Sequence, residues 1–197
     1  RICGHQNVRE RLGRMASLSV MPQSFLFSGP RRLGKFSVAL EFAQTLASVP
    51  LGEYREGGDI LVIGRVGKSV TDESKASPAI SVEDIREASE FCSRFPSTGK
   101  YRVVIIDAAE RLTVSAENAL LKMLEEPNST AVVILVTHLP GALLPTVRSR
   151  LFGIIFSSPS PEEVHAFFAD SNVPDFLFSL GLPGLIAAAV EAPDVFE

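Results

Sequence analysis

Apolar residues fall along this chain in two alternating rhythms, short unbroken runs and runs at helical spacing. Val8, Leu12 and Met15 recur at helical intervals and predict an opening helix. Phe25-Leu26-Phe27 is a short apolar run closed by Ser28-Gly29-Pro30, the pattern of a buried strand passing into a turn. Beyond Lys35, the residues Val38, Phe42 and Leu46 share one helix face that ends near Pro50. Residues 59–63 read as a second strand, and the polar, turn-rich residues 64–78 as a loop. Ser81 with Asp84 marks a helix start that Val82, Ile85 and Ser89 continue. Residues 101–106 form a third strand ending on Asp107. Leu112, Ala116, Leu120 and Met123 or Leu124 mark the next helix, closed by Glu126-Pro127-Asn128. Residues 131–136 and 153–156 supply the fourth and fifth strands.

Strands that are apolar throughout and alternate with helices imply an α/β fold, a parallel sheet covered on both faces. Ligands of such sheets lie beyond the carboxyl ends of the strands, so the polar residues there carry the candidate chemistry. After residue 157 the composition shifts. Ser157-Ser158-Pro159-Ser160-Pro161 is hinge-like, Ser160 and Glu163 form a capping box, and Pro161 takes the first helical position. The expected division is residues 1–157 as the α/β domain and 158–197 as the start of a small helical unit.

The 197 residues, 46% hydrophobic and 21% charged, suffice for one such domain and part of a second. A formal net charge of −4 gives no reason to expect strong nucleic-acid affinity of the chain alone. Cys3 and Cys92 are far apart and lack a C-x-x-C partner, so no zinc or other metal site is expected. No apolar run approaches the roughly 20 residues of a membrane span. No secretory signal opens the chain, which starts at Arg1, and the expectation is a trimmed, cytoplasmic protein.

The strongest motif is G-P-R-R-L-G-K-F, residues 29–36, set between a strand and a helix. It fits the phosphate-binding loop G-x-x-x-x-G-K up to its last position. In a working loop, backbone N–H groups wrap the phosphates, Lys neutralises charge and a Ser or Thr hydroxyl binds magnesium. Gly29, Gly34 and Lys35 satisfy the pattern, but Phe36 has no oxygen for a hard cation. Arg32 also stands where a glycine would let the loop curl most easily. The plain alternative is a glycine turn joining strand to helix. Asp107, at a strand end, is placed to hold magnesium; it would equally serve as a helix cap. Its neighbour Ala108 stands where ATPases of this kind place a water-polarising Glu, and Glu110 lies further on. His5 and His138 read as loop residues and His165 as a helix residue, none with metal-ligand company.

The run V-V-I-I-D-A-A-E-R-L-T-V-S-A-E-N-A-L-L-K-M-L-E-E-P from Val103, with L-L-P-T-V-R-S-R over residues 143–150, resembles bacterial DNA polymerase III clamp-loader subunits of the AAA+ family. G-H-Q-N-V and F-L-F-S-G-P-R-R-L-G-K-F extend the resemblance toward the start. It implies an AAA+ P-loop NTPase-type five-stranded parallel sheet with helices on both faces, then a helical lid whose C-terminal collar domain is absent. Phe36 and Ala108 favour the delta-prime type over the catalytic gamma/tau type. By the same likeness Arg150, after Ser149, is an arginine finger serving a neighbour's ATP, although Leu151 replaces the family's Cys. Thr137 takes the sensor position after the fourth strand, and Gly184 stands where an active second sensor carries Arg. The family's four-cysteine zinc module has no counterpart, since residues 47–59 hold no cysteine.

The resemblance therefore implies a non-hydrolysing subunit working with gamma/tau-like and delta-like subunits, meeting the sliding clamp and primer-template DNA through the complex. Lys122 is a candidate for a minor DNA backbone contact. No cofactor is required; Lys35 and the loop N–H groups retain a capacity for weakly held ATP, ADP or phosphate. Two rivals remain. One is an active gamma/tau-like ATPase using a repositioned Glu110, separable by ATP turnover of the purified chain. The other is a structural module that has lost its finger, against which the intact T-V-R-S-R stands as an argument.

Overall fold

The structure, a computed structural model, describes residues 3–50, 58–64, 79–169 and 181–191. Most of the predicted loop at 64–78 and part of the predicted lid lie outside the described residues. Five strands form one sheet in the order β2-β3-β4-β1-β5, with every pairing parallel. They are β1 (Ser24–Ser28), β2 (Ile60–Ile63), β3 (Arg102–Asp107), β4 (Ala131–Thr137) and β5 (Phe152–Ile155). The predicted strands recur within a residue or two. Phe156, expected in the fifth strand, lies one residue beyond it but still donates its N–H to Ser28 O at 2.7 Å.

The two-residue period of the strands sorts their side chains into two cores. Phe25, Phe27, Val103, Ile105, Val132, Ile134 and Ile154 face α1 (Gln6–Ala16) and α2 (Lys35–Ala47). Leu26, Val104, Ile106, Val133 and Leu135 face α3 (Val82–Ser93) and α4 (Val114–Glu125). Each inward side chain leaves water nearly completely, which at about 25 cal/mol per Å² makes these faces the main source of stability. Burial on both faces explains why the strands lack polar alternation.

Local chemistry sets the helix starts. Ser81 and Asp84 form the predicted capping box for α3, and Thr113 accepts the Ala116 N–H to begin α4. Leu112, read as part of that helix, instead ends a 3-10 turn over Ala109–Arg111. A second 3-10 turn, Pro140–Ala142, precedes the short helix α5 (Pro145–Arg148). The Ser160–Glu163 capping box opens α6 (Pro161–Phe167), with Pro161 in its first turn. The last described helix is α7 (Pro183–Glu191). Val164 of α6 and Ile186 of α7 meet Cys3 in a small third core, joined by Phe168 and Leu185.

Among the described residues no helix is long and apolar enough to cross a membrane. Nor is there among them a group of three or more His, Cys, Asp or Glu that could hold a metal ion. Cys3 and Cys92 are both buried, and burial pushes the Cys92 thiol up to about 11, against the pull of the nearby Arg102 charge.

Candidate functional site

The carboxyl ends of β1, β3 and β4 converge on residues 29–36, Asp107 and Thr137. The loop leaves β1 at Gly29, whose φ of +146° suits glycine alone. A Cβ there would stand 2.3 Å from Phe156 O, so the close approach of the chain after β5 also demands glycine. Gly34, in the left-handed region at φ +79°, turns the chain into α2. Arg32 adopts φ +60°, a conformation that costs a non-glycine residue roughly 1–2 kcal/mol.

The Lys35 side chain is buried and folds back onto its own loop, donating from Nζ to Gly29 O at 2.8 Å and Pro30 O at 2.5 Å. Burial lowers its pKa, while Glu110 and Asp107 nearby support the charged form. Phe36 is partly buried and packs against the core on the α1 and α2 side of the sheet. The loop therefore presents no side-chain oxygen where a hydroxyl would bind magnesium, and its side chains do not fit a magnesium–nucleotide complex.

Asp107 ends β3, and its Oδ1 accepts the N–H of Ala108, which turns into the left-handed region at φ +54°. Glu110 is engaged at both oxygens: Thr137 Oγ1 donates to Oε2 at 2.6 Å, and His138 Nδ1 lies 2.8 Å from Oε1. Thr137, 1% exposed, also accepts the Leu139 N–H. Thr137 is thus wired to Glu110 and His138, a link that the sequence alone did not give. The spacing of D-A-A-E hinted at it, because a 3-10 turn after a strand brings its second residue back toward the sheet.

Two further residues join the loop. His5, read from sequence as a loop residue, is the N-cap of α1, and its ring reaches the loop. Its Nε2 lies 2.8 Å from Leu33 O and its edge meets the Phe156 ring at 4.9 Å, while burial lowers its pKa. The signal was G-H-Q ahead of the helix, a glycine and a polar ring without a local partner. Gly184, in the first turn of α7, donates its N–H to Arg32 O at 2.8 Å. A Cβ at Gly184 would meet that oxygen at 2.8 Å and the Arg32 Cα at 3.2 Å, so only glycine lets α7 sit this close.

Arg150 lies elsewhere. It follows α5 and precedes β5, whose first residue pairs with Phe25 at the start of β1. It therefore stands at the amino end of the sheet, whereas the Gly29–Phe36 loop follows the carboxyl end of β1. The five residues of β1 separate them by roughly 16 Å along the strand direction. The Arg150 side chain is 37% exposed, with Nη2 donating to Glu125 Oε1 at 2.8 Å and Nη1 to Thr146 O at 2.8 Å. Ser149 caps α5 and donates Oγ to Thr146 O at 3.0 Å. Lys122 is on the exposed face of α4. The candidate residues thus fall into two groups: Gly29, Gly34, Lys35, Asp107 and Thr137 at one end of the sheet, Ser149 and Arg150 at the other.

A family model described as DNA polymerase III, delta subunit matches residues 4–160. Among similar proteins, the DNA polymerase III subunit delta' of Pseudomonas aeruginosa is 32% identical over 133 residues, covering 64% of this chain and 40% of that protein. The subunit gamma/tau of Mycobacterium tuberculosis is 32% identical over 174 residues, covering 85% of this chain and 30% of that protein. The chain thus spans less than half the length of these relatives. Of solved structures, a DNA polymerase III gamma subunit-related protein from Thermotoga maritima superposes with a TM-score of 0.62 at 23% identity, over 91% of this chain and 56% of that one. The RuvB Holliday junction branch migration motor of Thermotoga maritima gives a TM-score of 0.59 at 21% identity, over 96% and 61%. These two likenesses carry the fold, that of AAA+ P-loop NTPases. By the family match and the fold together, the chain belongs to the DNA polymerase III delta-subunit family, among the clamp-loader proteins of AAA+ type.

Proposed function

We propose that this chain is a delta-prime-like clamp-loader subunit that does not turn over nucleotide itself and supplies Arg150 to the nucleotide of a neighbouring subunit. The observation that carries this reading is the separation of Arg150 from the chain's own Gly29–Phe36 loop. At opposite ends of one strand, the guanidinium has no path to a phosphate held by that loop. It is half-exposed at the surface, where a neighbouring subunit's phosphate can meet it.

The chemistry follows from the side chain. Phosphoryl transfer spreads negative charge over the γ-phosphate oxygens, and a planar guanidinium meets two of them at once. Such fingers contribute roughly 10³–10⁵ in rate when supplied in trans. The chain's own loop lacks the magnesium hydroxyl at Phe36 and the base at Ala108, and Glu110 is held by Thr137 and His138. Lys35 and the loop N–H groups are left with weak binding of phosphate, ADP or ATP at most. Zinc has no place in this reading. The partners are gamma/tau-like and delta-like subunits, with the sliding clamp and primer-template DNA reached through the complex, in the cytoplasm.

The test is to assemble the clamp-loader complex with Arg150→Ala or Arg150→Lys and measure its DNA- and clamp-stimulated ATPase, after confirming normal assembly. Both variants are expected to lose most of the stimulated rate, because Lys cannot reproduce the fork. An unchanged rate would leave the chain a structural module.

A further inference from the structure

Helix α4 presents two carboxylates to the segment that carries Arg150. Near its start Glu117, 3% exposed, accepts the Leu144 N–H at 2.7 Å and fixes the point where α5 begins. At its end Glu125 accepts Arg150 Nη2 at 2.8 Å. Thr146 O takes Nη1 from the other side, so the guanidinium is held between a carboxylate and a carbonyl. Nη1 also reaches Ser149 Oγ at 3.5 Å, so three hydrogen bonds hold the two terminal nitrogens. The guanidinium carries five N–H donors in all, so donors remain for an incoming anion.

We infer that Glu125 is the positioning residue of Arg150: its carboxylate sets the plane and reach of the guanidinium before a neighbour's phosphate arrives. The inference rests on the finger reading above and deepens it. An Arg side chain that is free in solution has rotamer entropy that is lost whenever it must be aligned. Glu125 removes part of that freedom in advance, so alignment is not left to the moment of reaction. The ion pair is exposed, with Glu125 at 50%, and pairs of that kind add little to stability. Its loss should therefore leave the fold intact and register in rate. Glu117, buried and bonded to backbone, is the structural member of the two.

The experiment is a double-mutant cycle in the assembled clamp-loader complex, read as the kcat and nucleotide KM of stimulated ATP hydrolysis. Glu125→Ala is expected to lower kcat roughly twofold to fivefold, the range an exposed ion pair commands, with KM unchanged. Glu125→Gln keeps an acceptor oxygen and should recover most of that loss. In an Arg150→Ala background, Glu125→Ala should have no further effect, because its action passes through the guanidinium. An equal loss in both backgrounds would make Glu125 merely structural and overturn the inference. So would a rate that rises in Glu125→Ala, since the carboxylate would then be competing for the finger. If Arg150→Ala lowers the rate and Glu125→Ala does not, the positioning role alone fails. If Arg150→Ala is itself without effect, the finger reading fails and this inference goes with it.

Discussion

Replacing Asp59 by Asn should cost more stability than any exposed substitution in this chain. Asp59 precedes β2 and is 1% exposed. Its oxygens accept the Ser97 N–H at 2.8 and 2.9 Å, the Thr98 N–H at 2.8 Å, the hydroxyls of Ser97 and Thr98 at 2.8 and 3.0 Å, and Arg102 Nε at 3.3 Å. Desolvation alone would raise its pKa, but the bonds from Ser97 and Thr98 outweigh it and hold the carboxyl well below the usual range. An amide puts an NH2 against these donors and leaves Arg102, 8% exposed, without its counter-charge. Breaking a buried pair from one side costs about 3–5 kcal/mol, a large share of the 5–15 kcal/mol typical of a domain. Urea denaturation across pH is the assay. Because the folded pKa lies below the unfolded value of about 3.9, the stabilisation is fully present above that value. It is lost as pH falls further, toward the folded pKa. The gap between native and Asp59→Asn chains should therefore be widest near neutrality and shrink below about pH 4. A loss under about 1 kcal/mol at pH 7, or a gap that does not shrink on acidification, would refute the reasoning.

Other expectations follow from the loop. Gly29→Ala drives a Cβ to 2.3 Å from Phe156 O at a φ of +146°, and thermal unfolding should show a loss of about 2–3 kcal/mol. His5→Ala removes the bond to Leu33 O and the ring contact with Phe156, an expected loss of about 1–2 kcal/mol by denaturant midpoint, with His5→Phe recovering only the ring's share. Gly184→Val should separate α7 from Arg32 O, seen as faster amide hydrogen exchange in α7 with the five strands unaffected. The purified chain is expected to show no multiple-turnover ATP hydrolysis, and turnover abolished by Lys35→Ala would contradict the role given to Phe36 and Ala108.

The strands were legible because each is a dense apolar run between turn residues, and burial on both faces leaves nothing else for such a run to do. The loop was legible because glycine spacing has a backbone cause: Gly29 and Gly34 both sit at positive φ. Contacts between side chains distant in sequence were not legible. The link from Glu110 to Thr137 spans 27 residues and that from His5 to Leu33 spans 28; the local patterns D-A-A-E and G-H-Q mark one end of each link but not its partner. α5 was missed because its four residues are too few to show a period. The pairing of Arg150 with Glu125 depends on where α4 ends relative to β5, a matter of packing rather than of spacing.

The placement of the Gly29–Phe36 loop and Arg150 at opposite ends of one sheet also bears on symmetry. On the finger reading proposed above, the surface that gives a finger and the surface that receives one are different patches, which calls for head-to-tail contacts rather than contacts about a two-fold axis. Each contact then has a donor side and a receiver side. If Arg150 serves a neighbour as proposed and the chain's own loop turns nothing over, the chain works in one direction only: it completes its neighbour's site and is not completed in turn. On that reading, any junction formed at this chain's own loop is a silent one, and the order of the subunits decides which junctions react.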